Sequence, residues 1–215
     1  MQRIKVWDLP VRLFHWSIVA LIAAAWVTQE FNLMDWHVWC GYAILTLLLF
    51  RVIWGFVGSD TARFSQFLKS PIAALRHLAH LRRREEDREI GHNAAGGWMV
   101  LVMLALLGVQ AGTGLFSNDD GNTEGPLMHL VDKEQSDWLS KIHALNFNLI
   151  LAVIVLHVLA IVAYAVLKRQ NLVRPMLTGT KDMPGDTVAP RLVSPVWALV
   201  SLVAAVGIVV WVAGV

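Results

Sequence analysis

Five apolar stretches, separated by polar segments of very different length, set the pattern of this chain. They run over residues 11–28, 36–57, 93–116, 139–167 and 194–214. A bilayer core of about 30 Å is crossed by about 20 apolar residues in a helix, and each stretch has that length. The expected fold is all-α, a polytopic transmembrane helix bundle. Residues 1–10 form a short polar arm, and Pro10 suits the entry to a helix. The basic front and Ala-rich middle of the first span could imitate a signal peptide. Arg12, His15 and Trp16 stand early in it and four more spans follow, so the expectation is a retained helix.

Composition agrees with that pattern and narrows the chemistry. Of the 215 residues 56% are hydrophobic and only 16% charged, which excludes an ordinary soluble domain. The formal net charge of +2 is small and the basic residues are divided among loops, so no nucleic-acid partner is implied. Cys40 is the single cysteine. It excludes an intrachain disulfide, a cluster held by several thiolates and covalent haem attachment, and it reads as a small packing residue.

Lysine and arginine decide the expected orientation. They concentrate in the N-terminal arm (Arg3, Lys5, Arg12), the 58–92 loop and the 168–193 linker. The segment from Ser117 to Asp137 holds Asp119, Asp120, Glu124, Asp132, Glu134 and Asp137 against Lys133 alone. The positive-inside rule places the N-terminus, the long loop and the linker in the cytoplasm and the C-terminus outside. Tryptophans near the span ends fit an interfacial belt.

That topology gives each histidine a depth. His143 and His157 stand fourteen residues apart in the fourth span. In a helix this is about 21 Å of rise, with both side chains within about 40° of one direction. A lone helix histidine is ordinarily a packed core residue, but ionisable groups at membrane depth are costly and mark function. His15, near the inner end of the first span, lies level with His157, and His37, at the outer start of the second, lies level with His143. Neutral imidazole is the usual axial ligand of b-type haem iron, so two level pairs on different helices predict two non-covalent haem b groups. His92, just before the third span, is the alternative to His15. Arg51 lies fourteen residues after His37. It and Arg12 can each bond a haem propionate or snorkel to headgroups. The run RRREEDRE at Arg82–Glu89 reads as a solvated helix or loop, and the His77/His80 spacing carries too few ligands for a metal.

Several motifs carry a resemblance. They are VWDLPVRLFHW at Val6–Trp16, WHVWCGY at Trp36–Tyr42, LFRVIWGFVGSDTARF at Leu49–Phe64 and GHNAAGGWM at Gly91–Met99, together with the His143–His157 segment and KRQNLVRPMLTG at Lys168–Gly179. The chain thereby resembles the bacterial cytochrome b561 family, which is similar to the membrane cytochrome b subunit of nickel–iron hydrogenases. The resemblance implies a four-helix di-haem domain over residues 1–179, with ligands at His15, His37, His143 and His157. Residues 180–215 add a linker and a fifth span that departs from the four-helix core. It further implies a quinone site near one haem and electron transfer between the quinone pool and a periplasmic redox partner across a bacterial inner membrane. A stand-alone superoxide oxidase delivering electrons to quinone is the alternative, and a transporter with a histidine proton relay is a third class. The acidic Ser117–Asp137 segment leads us to expect a basic periplasmic c-type cytochrome or other redox subunit as partner.

Overall fold

The hydrophobic pattern becomes helix almost residue for residue. The structure, a computed structural model, describes residues 1–79, 89–121 and 123–214. His80 and the charged run as far as Arg88 lie outside the described residues. In chain order the elements are β1 (Gln2–Lys5), α1 (Leu9–Glu30), α2 (Met34–Val57), α3 (Phe64–Phe67), α4 (Pro71–Ala79), α5 (Ala94–Gly114), α6 (Lys133–Leu167), α7 (Val173–Thr178), β2 (Thr180–Met183) and α8 (Pro195–Ala213), with one 3-10 turn at Met128–Leu130. Helices α1, α2, α5, α6 and α8 are long and apolar enough to cross a membrane. The protein is an all-α polytopic membrane helix bundle.

Local chemistry explains the ends. Asp8 caps α1, its Oδ1 accepting the Val11 N–H at 2.8 Å, with Pro10 in the first turn. Asn32 ends that helix with φ 55°, and the Leu33 N–H returns to the Thr28 carbonyl at 2.8 Å. Asparagine tolerates this left-handed conformation, which closes a Schellman-type turn. Helix α6 begins six residues before the expected span. Asp132 caps it by accepting the Gln135 N–H at 2.8 Å, so a polar turn precedes the apolar run.

The chain divides into two compact units. The first comprises residues 1–13, 52–102 and 153–199, and the second residues 14–51, 103–152 and 200–215. In the first, β1 and β2 pair antiparallel, with Gln2 opposite Met183 and Lys5 opposite Thr180. Four residues on each side are too short for alternation to announce a strand, and the partners lie at opposite ends of the family-like region. The Asp8 Oδ2 accepts the Trp54 indole N–H at 3.0 Å, and both residues are buried. The linker before α8 is docked here: the Arg191 N–H donates to Asp60 Oδ2 at 2.8 Å and the Val193 N–H to Ser59 Oγ at 3.0 Å.

The second unit is held by Ile18, Ile44, Leu48, Phe50, Leu107 and Ile150, with Ala205 and Val209 from α8. Large side chains elsewhere on the long helices, such as Leu145, Leu149, Leu156 and Leu159 of α6, are exposed. An apolar exterior with helix backbones satisfied internally is what a lipid solvent requires.

Candidate functional site

A cavity of about 370 Å³ lies in the second unit, lined by α1, α2, α5, α6 and the segment after α5. Ile22, Val38, Ile44, Leu45, Leu107, Phe147 and Ile150 supply its apolar wall, and Gln29, Gln110, Asn118, Thr123 and Ser140 its polar points. His37 and His143 both line it. Their ring centroids are 6.2 Å apart and the rings are inclined at 72°.

That separation has a chemical meaning. A metal–imidazole bond is about 2 Å, and the ring centre lies about 1 Å behind the bonded nitrogen. Two imidazoles on opposite sides of one metal therefore have centroids about 6 Å apart. The remaining ring nitrogens are already used. His37 Nδ1 is 2.8 Å from the Ala25 carbonyl, and His143 Nδ1 is 2.9 Å from the Gln110 carbonyl. A carbonyl only accepts, so both rings carry the proton on Nδ1 and offer Nε2 as ligand. Tethering of this kind fixes tautomer and ring orientation in metal-bound histidines.

Backbone space is provided on both helices. A Cβ on Gly114 would meet the His143 ring at 3.0 Å (Cε1) and 3.3 Å (Nδ1), so any larger residue would press that imidazole out of place by a few tenths of an ångström. Gly41, one turn after His37, lines the cavity, and a Cβ there would meet nothing within 4 Å. Beside His143, Asn146 is buried and donates to the Leu106 carbonyl at 2.9 Å and to Gln110 Oε1 at 2.7 Å, locking α6 to α5.

The prokaryotic cytochrome b561 family matches residues 6–179. The chain belongs to that family. No curated protein and no solved structure matches. Membership makes this cytochrome b561 a bacterial membrane b-type cytochrome of electron transfer and implies haem b binding. The cavity fits such a group: two imidazoles tethered through Nδ1 that leave Nε2 as the ligating atom, an apolar wall and a glycine with space beside it.

The other expected site residues are placed as follows. His15 lies in the second unit, edge-on to Trp16 with centroids 4.8 Å apart. His157 lies in the first, on the same helix as His143. Arg51 is buried at 2% exposure in the second unit. Arg12, in the first, donates through Nε to the Met176 carbonyl at 3.3 Å and through a terminal nitrogen to the Leu177 carbonyl. These carbonyls close α7, where a cation is favoured. His92 is packed between Trp7 and Phe67, with centroids 4.7 and 4.8 Å away. His77 meets the hydroxyl of buried Tyr164, which also accepts from Asn93 Nδ2 at 2.6 Å.

Sequence reasoning missed the carbonyls of Ala25 and Gln110, which have no residue-type signature. It also missed Gly114. Asn146 could have been found, because a buried amide three residues after His143 shares that residue's helix face.

The Ser117–Asp137 segment is ordered by its own carboxylates. Asp119 Oδ1 accepts the N–H groups of Gly121 at 2.8 Å and Thr123 at 3.1 Å. The Thr123 and Gly121 amides hold that carboxyl below the usual range. Lys133 pairs with both Asp120 and Asp137. Asn118 donates to Ser136 Oγ at 2.6 Å and to Asp137 Oδ1 at 3.0 Å, tying the segment to α6.

Proposed function

We propose that this cytochrome b561 carries two b haems and passes electrons between a membrane quinone and a soluble periplasmic redox partner. The observation that carries the reading is the 6.2 Å separation of the His37 and His143 rings in one cavity, with both Nδ1 atoms tethered to carbonyls. His37 and His143 would hold the outer haem. His15 and His157 would hold the inner one by the depth argument of the sequence. When bound, each haem supplies a one-electron Fe(III)/Fe(II) couple. The chain's own part is to fix the orientation of two imidazoles, exclude water with an apolar wall and oppose the propionates' charge. Buried Arg51 is the cation suited to that last task.

The N-terminal arm, the 58–92 loop and the linker would face the cytoplasm, with Ser117–Asp137 in the periplasm. Four of this segment's six carboxylates have structural duties: Asp119 in its turn, Asp132 as a cap, and Asp120 and Asp137 with Lys133. Glu124 and Glu134 add to the same exposed acidic field. A basic cytochrome face suits that field, whereas an anion such as superoxide would be repelled by it.

The test is haem counting. His37→Ala and His143→Ala should each reduce the pyridine-haemochrome yield from two to one per chain. His157→Ala should remove the other haem. Two haems with unchanged low-spin spectra in either of the first pair would refute the site. Transfer from the reduced protein to a basic soluble cytochrome should slow as salt rises. A salt-independent rate, with fast reduction by superoxide, would favour the oxidase reading.

A further inference from the structure

One arrangement occurs twice around the cavity, on helices unrelated in sequence. In α1 the stretch Ala24–Ala25–Trp26–Val27–Thr28 puts the Thr28 hydroxyl 2.8 Å from the Ala24 carbonyl and 3.0 Å from the Ala25 carbonyl. In α5 the stretch Val109–Gln110–Ala111–Gly112–Thr113 puts the Thr113 hydroxyl 2.7 Å from the Val109 carbonyl and 3.1 Å from the Gln110 carbonyl. The second carbonyl of each set, Ala25 or Gln110, is the one that accepts the imidazole N–H of His37 or His143. Thr113 Oγ1 is also 3.3 Å from His143 Nδ1, beyond the ordinary N–H···O range, so its main effect on that ring runs through the shared Gln110 carbonyl.

We infer that Thr28 and Thr113 are a matched pair of positioning residues that set the redox potential of the haem held by His37 and His143. The inference rests on that ligand assignment.

The physical argument turns on sharing. A helix threonine ordinarily returns its hydroxyl proton to the carbonyl four residues back. Here the same proton also reaches the carbonyl three residues back, which already serves a histidine. Sharing weakens the imidazole N–H···O bond, and that bond sets how much imidazolate character the ring has. A more anionic ring is a stronger donor to ferric iron and lowers the potential. Each threonine therefore moderates its histidine and holds the potential up. Each threonine would act through its own histidine, so the two effects would add.

The experiment is potentiometric titration of the purified holoprotein, with haem content and ferric low-spin spectra recorded for every variant. Thr28→Val and Thr113→Val should each lower the midpoint of one haem, changing its reduced-to-oxidised ratio several-fold at fixed ambient potential. The double variant should combine the shifts and leave the second haem unmoved. Thr28→Ser and Thr113→Ser, which keep the hydroxyl, should restore the midpoint. Thr46→Val is the control, because Thr46 returns its hydroxyl to the Tyr42 carbonyl at 2.8 Å, which is not the carbonyl that holds Nδ1 of His37 or His143. Unchanged midpoints in both valine variants, or an equal shift in the Thr46 control, would overturn the inference. So would loss of the haem from the valine and serine forms alike, which would make the threonines packing residues. Retention of both haems by His37→Ala and His143→Ala would instead refute the ligand assignment.

Discussion

Glycine and histidine give the sharpest expectations at the scale of single residues. Gly41→Ala meets no atom within 4 Å in the polypeptide, and alanine is favoured over glycine in a helix by about 1 kcal/mol. The apoprotein should therefore be as stable or slightly more so, while its haem affinity falls because a methyl group enters the cavity. Gly114→Ala would act through the proposed ligand: the methyl presses on the His143 ring and disturbs its bond to Gln110. Loss of such an orienting contact costs about 10–100-fold in affinity, measurable by haemin titration of the apoprotein. If His37 and His143 are the ligands, the 72° between their rings, each held by its own carbonyl, predicts a strongly anisotropic ferric low-spin signal in electron paramagnetic resonance. A rhombic signal typical of parallel rings would show that haem binding reorients one imidazole.

At the scale of elements, caps and turns carry the expectations. Asp8 satisfies the start of α1 and the Trp54 indole at once, and both side chains are buried. Asp8→Ala removes a cap worth about 1–2 kcal/mol and a buried bond to the Trp54 indole worth about 1–2 kcal/mol. Thermal unfolding in detergent should show that loss, while Trp54→Phe should show a smaller one. The Asp119 turn has a pH signature. Its carboxyl is depressed by the Thr123 and Gly121 amides, so its stabilisation is full above the unfolded value of about 3.9 and is lost as pH falls through the folded value. Amide exchange at Gly121 should be insensitive to carboxyl titration at neutral pH and accelerate, relative to the intrinsic rate, only in acid below about pH 4.

For the molecule as a whole, the region beyond residue 179 is the informative part. The family match ends there, yet β2 begins at Thr180 and pairs with β1, and Arg191 and Val193 dock on Asp60 and Ser59. A chain ended at Gly179 should insert and bind haem but unfold at lower temperature than the full chain. Met183→Lys, a charge placed at a site 2% exposed, should reproduce part of that loss. Equal melting temperatures would make the C-terminal region an appendage to the cytochrome domain.

The five spans, the bundle class and the candidate ligands His37 and His143 were legible in the sequence, because hydropathy and helical rise are local properties that side-chain order alone encodes. The family followed from motifs on the same helices. Other features depended on chain segments meeting. The Ala25 and Gln110 carbonyls carry no residue-type signal, and Gly114 is informative only once α5 lies against the His143 ring. Strands β1 and β2 need each other across nearly 180 residues, and neither is long enough to show a period alone. Backbone acceptors, close approaches and long-range pairings exist only after packing, so the tertiary structure decided how the two histidines are held.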